Sequence, residues 1–553
     1  MFNILYIYLY ITMHVHNTII IGSGISGIFT LKHLLEEGNK NVLVLDKNPQ
    51  PFGVWDINNP HGVFENTHTV SSRLYMTISD YPMPENTPEF PHHSLILNYY
   101  KNYATHFNLY PYIKQNCSVI SVKKTDGIWI ITTKNTTYYT ENVVIATGTV
   151  NDCPNIPDDE MYKNFTGEIY HSDSFDKIKN TTNKKILIVG GSDTAVDCAT
   201  ELIRKKNKIT VSIKNGVWFQ NRNLGAYEPA DMVYNRALDF FIKNISSKKF
   251  IDNNTDPNAN NNIQFYWGER GSGVDIWKSK CDYLNSYYVK SREIIDLISK
   301  GIVIPENGIV DIDKNKITFE TKDSDEFDII LFCTGYKPLK CMKFLDDKIV
   351  NTQKYKHIFY ENDHSIMFVG FIRPYLTSIP MLSELQSRWV AKVICKQCKL
   401  PSAQYMKTEN SKDTLRQKKE FPCSYNRLQT LVDPYDYCNM IAKNIDAQIN
   451  TTNLFFTNPR LLYMILFGSW NHYVYRLNDQ DANKRKIAIE GIKQVYSEKS
   501  SIKLVHLIYS NIYYYLFYLL IALILVITFI YIIINSKIIK KINFSRVYKS
   551  KNK

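Results

Sequence analysis

A chain of 553 residues with 44% apolar content has room for two or three cored domains, and that composition excludes a disordered or fibrous protein. The formal charge of +13 does not indicate a nucleic-acid binder, because beyond Ser501 there are eight Lys and Arg and no Asp or Glu. The remaining body is only mildly basic, which fits a phosphorylated cofactor and leaves no nucleic-acid partner to expect.

Residues 1–13 form an apolar extension without a basic residue, too short to span a bilayer and lacking a small-residue cleavage site, so no signal peptide is expected. The first structural unit runs from Asn17 to Glu37. An apolar strand containing Thr18, Ile19, Ile20 and Ile21 turns through Gly22, Ser23, Gly24, Ile25, Ser26 and Gly27 into a helical pattern. A G-x-G-x-x-G turn at that place serves a tight bend, a close backbone approach to pyrophosphate, and close packing of helix on strand. The next strand, NVLVLD, ends in Asp46, where a carboxylate would meet ribose hydroxyls. Its position near the N-terminus favours FAD.

A strand-rich region then closes with VVIATG at Val143–Gly148. The second unit, Lys184 to Lys206, carries Gly190, Gly191, Ser192, Asp193, Thr194 and Ala195, with Ser in the middle glycine position, where it narrows the approach to a pyrophosphate. The strand after it lacks an acid. Ser212 and Lys214 stand there instead, a hydroxyl and a cation suited to a 2′-phosphate, which favours NADPH over NADH. An Asn-rich stretch, Asn253 to Asn262, is expected as an exposed loop, and IILFCTG at Ile329–Gly335 matches the earlier strand end.

The expected fold is α/β, with two Rossmann-like dinucleotide-binding domains. An FAD domain (residues 14–160 and 329–500) holds an inserted NADPH domain (161–328). The ten cysteines are scattered without a framework, so reduced thiols are expected. Cys395 and Cys398 lack a second pair or a His cluster, so no metal site is expected. Ile512 to Ile534 is a charge-free stretch of 23 residues, long enough for a hydrocarbon core of about 30 Å, with Tyr513, Tyr514, Tyr515 and Tyr518 at one end and the basic tail 535–553 after the other. A membrane helix is expected there.

Phe165, Gly167, His171 and Phe175 form an F-x-G-x-x-x-H-x-x-x-F run that resembles the signature of the class B flavoprotein monooxygenases. Within that class the chain is similar to the animal-type, microsomal flavin-containing monooxygenases. FGVW at Phe52–Trp55, SDYPMP at Ser79–Pro84, ELQSRW at Glu384–Trp389, TNPRLL at Thr457–Leu462 and FGSWNHYVYRL at Phe467–Leu477 all resemble that family's segments.

The resemblance implies roles for particular residues. Gly22, Ser23, Gly24, Ile25 and Ser26 match the FAD pyrophosphate loop, Asp46 the ribose acid, Val54 and Trp55 the residues beside the flavin, and Thr194, Ala195, Val196 and Asp197 an NADP-binding stretch. His171 is expected as a domain-linking residue. Thr69 and Val70 fall at the family's Ser/Thr-Asn pair near the flavin, and Val70 cannot supply that Asn hydrogen bond. The implied activity is an FAD- and NADPH-dependent N- or S-oxygenase of dimethylaniline monooxygenase type. In it a C4a-hydroperoxyflavin, formed with dioxygen, oxygenates small lipophilic amines or thioethers. No side-chain nucleophile is required. The implied location is the endoplasmic reticulum membrane, held through the C-terminal helix with the catalytic domains on the cytosolic face. Two rival readings stay open: an NADPH oxidase releasing hydrogen peroxide, and a non-catalytic membrane-bound flavoprotein. No oligomeric state is assigned.

Overall fold

The computed structural model describes residues 15–59, 61–150, 152–220, 222–224, 228–237, 239–240, 269–270, 274–278, 288–374, 377–420, 429–497 and six positions between 520 and 528. The N-terminal extension, the Asn-rich stretch and the basic tail lie outside these residues, as does most of the segment 512–534. Its described members Leu520, Ile521, Leu523, Leu525, Val526 and Thr528 are helical. Among the described residues no helix is long and apolar enough to cross a membrane.

Two sheets with parallel cores organise the molecule. In the first, the strand His16–Ile21 is central, flanked by Val42–Leu45 with Thr18 beside Val42, and by Thr137–Ile145 with Ile19 beside Val143. Ile19 and Ile20 are fully buried, as befits a strand covered on both faces. Burying each such side chain contributes roughly 1.5–3 kcal/mol. The nine-residue strand Thr137–Ile145 serves two layers. Its start pairs antiparallel with Ile128–Thr133, which forms a hairpin with Val119–Thr125, while its end pairs parallel with Ile366–Phe368. The helix Ile25–Glu36 packs on this sheet and against the helix Ile379–Ile394, where Ser26 Oγ meets Ser383 Oγ and Thr30 Oγ1 meets Ser387 Oγ, each at 3.0 Å. Small hydroxyl side chains let the two helices approach closely. Ser378 caps the second helix through Met381 N.

The second sheet has five parallel strands in the order Val303–Glu306, Lys208–Ser212, Lys185–Val189, Ile329–Phe332 and Glu168–His171. The helix Asp193–Arg204 covers it through Ala195, Val196, Cys198, Ala199 and Leu202. These are α/β cores of the Rossmann kind, as expected. Phe165 packs with Leu187, Ile330 and Phe332, and His171 ends the outermost strand with its ring 5.2 Å from that of Tyr336. The F-x-G-x-x-x-H run therefore fixes the strand on which the chain enters the second sheet.

One expectation is corrected. Cys153 and Cys341, 188 residues apart, are joined in a disulfide with their Cα atoms 5.8 Å apart. Scattered spacing misses this pair because both cysteines lie where the chain crosses between the sheets, side by side only after folding. The other described cysteines are free thiols.

Candidate functional site

The two glycine turns lie at the carboxyl ends of the central strands of their sheets, where open α/β folds bind ligands. Gly22 has φ +106°, and a Cβ there would stand 2.5 Å from the Ala146 carbonyl oxygen, so only glycine lets the chain pass the neighbouring strand end. Gly27 lies against the Gly22 carbonyl. No side chain caps the helix after Gly24, leaving its first amides for phosphate oxygens. Asp46 ends the neighbouring strand and accepts from Ser23 N at 2.5 Å and Ser23 Oγ at 2.8 Å. It steadies the turn as well as standing where a ribose would lie.

Val54 and Trp55 occupy a short helical turn, Gly53–Trp55, held to the first loop by Phe52 N donating to Ser23 O at 2.8 Å. Both are half-buried, and Gly53 at the start of their turn faces Gly24. Thr69 follows on the same wall, 4% exposed, its backbone donating to Pro91 O while its hydroxyl is buried without a partner among the described residues. Val70 is half-buried. The residues after it are fastened on two sides. Ser71 Oγ donates to Thr377 O at 2.7 Å, and Ser72 N to Asp231 Oδ2 at 2.8 Å.

In the second unit Gly190, at φ +132°, passes the Cys333 carbonyl, which a Cβ would meet at 2.6 Å. Ser192 turns its hydroxyl back to accept from Ala195 N at 3.4 Å. It caps the helix, and the modest departure seen in the sequence is a helix start of ordinary chemistry. Thr194 is half-buried, whereas Ala195 and Val196 are buried in the core beneath the loop. Their side chains seat the helix on the sheet. Asp197 is half-buried, with its carboxyl pushed up to about 7 by burial and then by the Asp193 charge. Ser212 is buried and donates to Asn307 O, so its proton is not free for a phosphate. Lys214 is exposed just past the strand end and remains the cation of this corner.

Sequence reasoning missed several residues here. Asp193 accepts from Lys290 N at 3.0 Å and Ser291 N at 2.9 Å, tying the nucleotide helix to the far edge of the second unit. Asp231 is buried and accepts from Ser72 N through Oδ2, and its carboxyl is pushed up by burial despite the Lys290 charge. Thr377, at φ +77°, presents a second buried hydroxyl with no partner among the described residues. None of these carried a motif, because each becomes significant only when distant segments meet.

Two glycine turns, the first opening on an uncapped helix start, with an acid beside the first and a cation beside the second, fit FAD and NADPH. A family model described as "Flavin-binding monooxygenase-like" matches residues 16–534. Flavin-containing monooxygenase 5 of Rattus norvegicus is 27% identical over 481 residues, covering 83% of this chain and 88% of that protein. Human flavin-containing monooxygenase 2 is 26% identical over 483 residues with the same coverage. Among solved structures, cyclohexanone monooxygenase from Rhodococcus sp. Phi1 bound to NADP+ superposes with TM-score 0.60 at 15% identity, covering 79% of this chain and 98% of that one. S-allyl-L-cysteine S-oxygenase from Allium sativum superposes with TM-score 0.55 at 17% identity, covering 88% and 99%. The chain belongs to the flavin-binding monooxygenase family and is a monooxygenase that uses FAD and NADPH.

Proposed function

We propose that the protein oxygenates a soft nitrogen or sulfur on small lipophilic amines or thioethers. The observation that carries this reading is the pair of intact nucleotide turns, one per sheet. FAD, once reduced by NADPH, would supply the oxygen chemistry through a C4a-hydroperoxyflavin formed with dioxygen. The chain's own residues bind, orient and exclude water. Gly22–Gly27 with Asp46 would hold the FAD pyrophosphate and ribose, and Val54 and Trp55 would flank the flavin. Gly190, Ser192, Thr194 and Asp197 would receive NADPH, with Lys214 against its 2′-phosphate and Ser212 bracing that corner from beneath. Thr69 would offer its hydroxyl to the flavin side of the crevice, where Val70 offers none.

In this reading residues 14–160 and 329–500 form the FAD domain and 161–328 the NADPH domain. The segment 512–534 would lie in the endoplasmic reticulum membrane, holding the catalytic domains at its cytosolic face. A second reading rests on Val70: without a hydrogen bond at that position the enzyme would release hydrogen peroxide as an NADPH oxidase. One experiment separates them. Purified protein is given NADPH in air with and without a tertiary amine or thioether, and NADPH loss, peroxide and oxygenated product are followed together. Product in step with NADPH supports the oxygenase, whereas peroxide matching NADPH mole for mole over a broad substrate panel replaces it with the oxidase. A protein that purifies yellow yet consumes no NADPH would instead favour the non-catalytic flavoprotein.

A further inference from the structure

The chain crosses between the two sheets outbound from Ile145 to Glu168 and inbound from Phe332 to Ile366. The crossings lie against each other as a short antiparallel ribbon. Pro154 faces Tyr336, Asn155 N donates to Gly335 O at 2.8 Å, and Lys337 N donates to Cys153 O at 2.8 Å. Asn155 Nδ2 adds a bond to Thr334 O at 3.2 Å. Any rotation of one nucleotide unit on the other must be absorbed by the backbone angles of these two crossings. The hydrogen bonds there can break and reform one at a time, since each contributes little net energy. The Cys153–Cys341 bond cannot.

We propose that Cys153 and Cys341 form a reversible redox-modification site, closed by hydrogen peroxide and opened by a dithiol, that sets the freedom of this ribbon. Both residues are half-buried, so small oxidants and thiols reach them. Asp152, beside Cys153, is bonded to Lys47 and to His61 Nε2, the latter at 2.7 Å, so the outbound crossing is anchored on the first unit next to the cysteine. Cys341 ends the short helical turn Pro338–Cys341 on the inbound crossing. Closure removes two protons and two electrons from the thiols, forms the S–S bond and cleaves the peroxide O–O bond to two waters. Opening begins with thiolate attack on one sulfur, passes through a mixed disulfide, and leaves the dithiol oxidised to its own cyclic disulfide. In a reducing compartment such a pair acts as a sensor rather than a permanent brace. The thiol chemistry stands on geometry alone, but its effect on turnover, and uncoupled turnover as the peroxide source, rest on the function proposed above.

The test uses the full chain prepared in air. Thiols are alkylated with iodoacetamide before and after dithiothreitol, and the digest is read by mass spectrometry. The expected result is a linked Cys153–Cys341 peptide that gives way to two alkylated cysteines when dithiothreitol precedes iodoacetamide, and that returns when reduced, desalted, unalkylated protein receives equimolar hydrogen peroxide before iodoacetamide. Amide exchange at Asp152, Cys153, Asn155 and residues 334–337 should quicken at least threefold on reduction, and C153S and C341S should each match the reduced protein and ignore peroxide. NADPH-driven flavin reduction should rise at least threefold on opening the bond. Full alkylation of both thiols after peroxide treatment would overturn the site. A bond that forms while exchange and flavin reduction stay unchanged would overturn its role at the ribbon. A protein that binds no flavin would sink the monooxygenase reading and leave the mass-spectrometric and exchange results to decide the thiol site.

Discussion

Arg476 Nη2 stands 2.8 Å from Asp80 Oδ2, with the two side chains 2% and 1% exposed. The same guanidinium reaches Glu384 Oε1 at 3.1 Å and Ser79 Oγ at 2.8 Å, while Lys32 pairs with Asp80 from the first helix. Three segments that resemble the family in sequence, SDYPMP, ELQSRW and the YRL end of FGSWNHYVYRL, thus meet in one buried ionic cluster. Removing one member leaves an uncompensated buried charge, so R476M should cost about 3–5 kcal/mol of stability. Burial alone would push the Asp80 carboxyl up, but Arg476 and Lys32 hold it well below the usual carboxylate range, and Glu384 is lowered by His472 and Arg476 against the same burial penalty. A depressed carboxylate contributes stability above its unfolded value and loses it progressively as pH falls toward its folded value, so the cluster's contribution should begin to decline on acidification through about pH 4. Denaturant melts of wild type and R476M from pH 7 to pH 3 check this. Curves that keep a constant separation would refute it.

At the first nucleotide turn, G22A forces a methyl group against the Ala146 carbonyl at a φ that L residues rarely adopt. It should purify without bound flavin and lose about 2 kcal/mol of stability or more, mainly from the strained backbone. G190A places its methyl against the Cys333 carbonyl and should keep flavin while losing NADPH binding by at least tenfold. Flavin absorbance per protein and NADP+ titration distinguish the two, and an unchanged flavin content in G22A would contradict the assignment of this loop.

What the sequence disclosed and what it withheld differ in range. Strand, glycine turn and helix are local, so the loops at Gly22 and Gly190 and the acid at Asp46 could be read from patterns within 30 residues. The roles of Ala195, Val196 and Ser212 could not. A helix of nucleotide-binding type has one face toward the ligand and one toward the sheet, and only packing shows that Ala195 and Val196 point down and that Ser212 donates to Asn307. Asp231, Thr377 and the Cys153–Cys341 pair join segments more than 100 residues apart, which no local periodicity records. The family-like segments were legible as likeness but not as chemistry. Their common site around Arg476 appears only in three dimensions.

The Val70 side chain presents no polar atom, and the neighbouring Thr69 hydroxyl lacks a partner among the described residues. V70N should therefore lower peroxide released per NADPH consumed by at least threefold in the presence of an oxygenated substrate, and T69V should raise it. Both ratios come from parallel assays of peroxide and NADPH. If V70N leaves the ratio unchanged, the hydrogen bond missing at this position does not control coupling.

Asp197 lies one helical turn inside the nucleotide helix, and its carboxyl sits near 7 because burial disfavours the charge and Asp193 repels it. The group is neutral below that value and negative above it. NADPH carries several negative charges to the start of the same helix, so its affinity should fall as pH rises through 7, by about fivefold for an added repulsion of about 1 kcal/mol. D197N should flatten that component of the profile. The 2′-phosphate of the nucleotide also titrates in this range, but it does so identically with both proteins, so the difference between the two curves belongs to Asp197. Stability has the matching sign. The folded state holds the proton more tightly than the unfolded chain, so Asp197 is a growing liability from about pH 4 up to 7 and a constant one above. D197N should accordingly melt at a higher temperature than wild type at pH 8 and at nearly the same temperature at pH 4. NADP+ titrations and thermal melts at pH 6, 7 and 8, with a further melt at pH 4, test both consequences, and parallel affinity profiles for the two proteins would show that the Asp197 charge is not felt at the nucleotide.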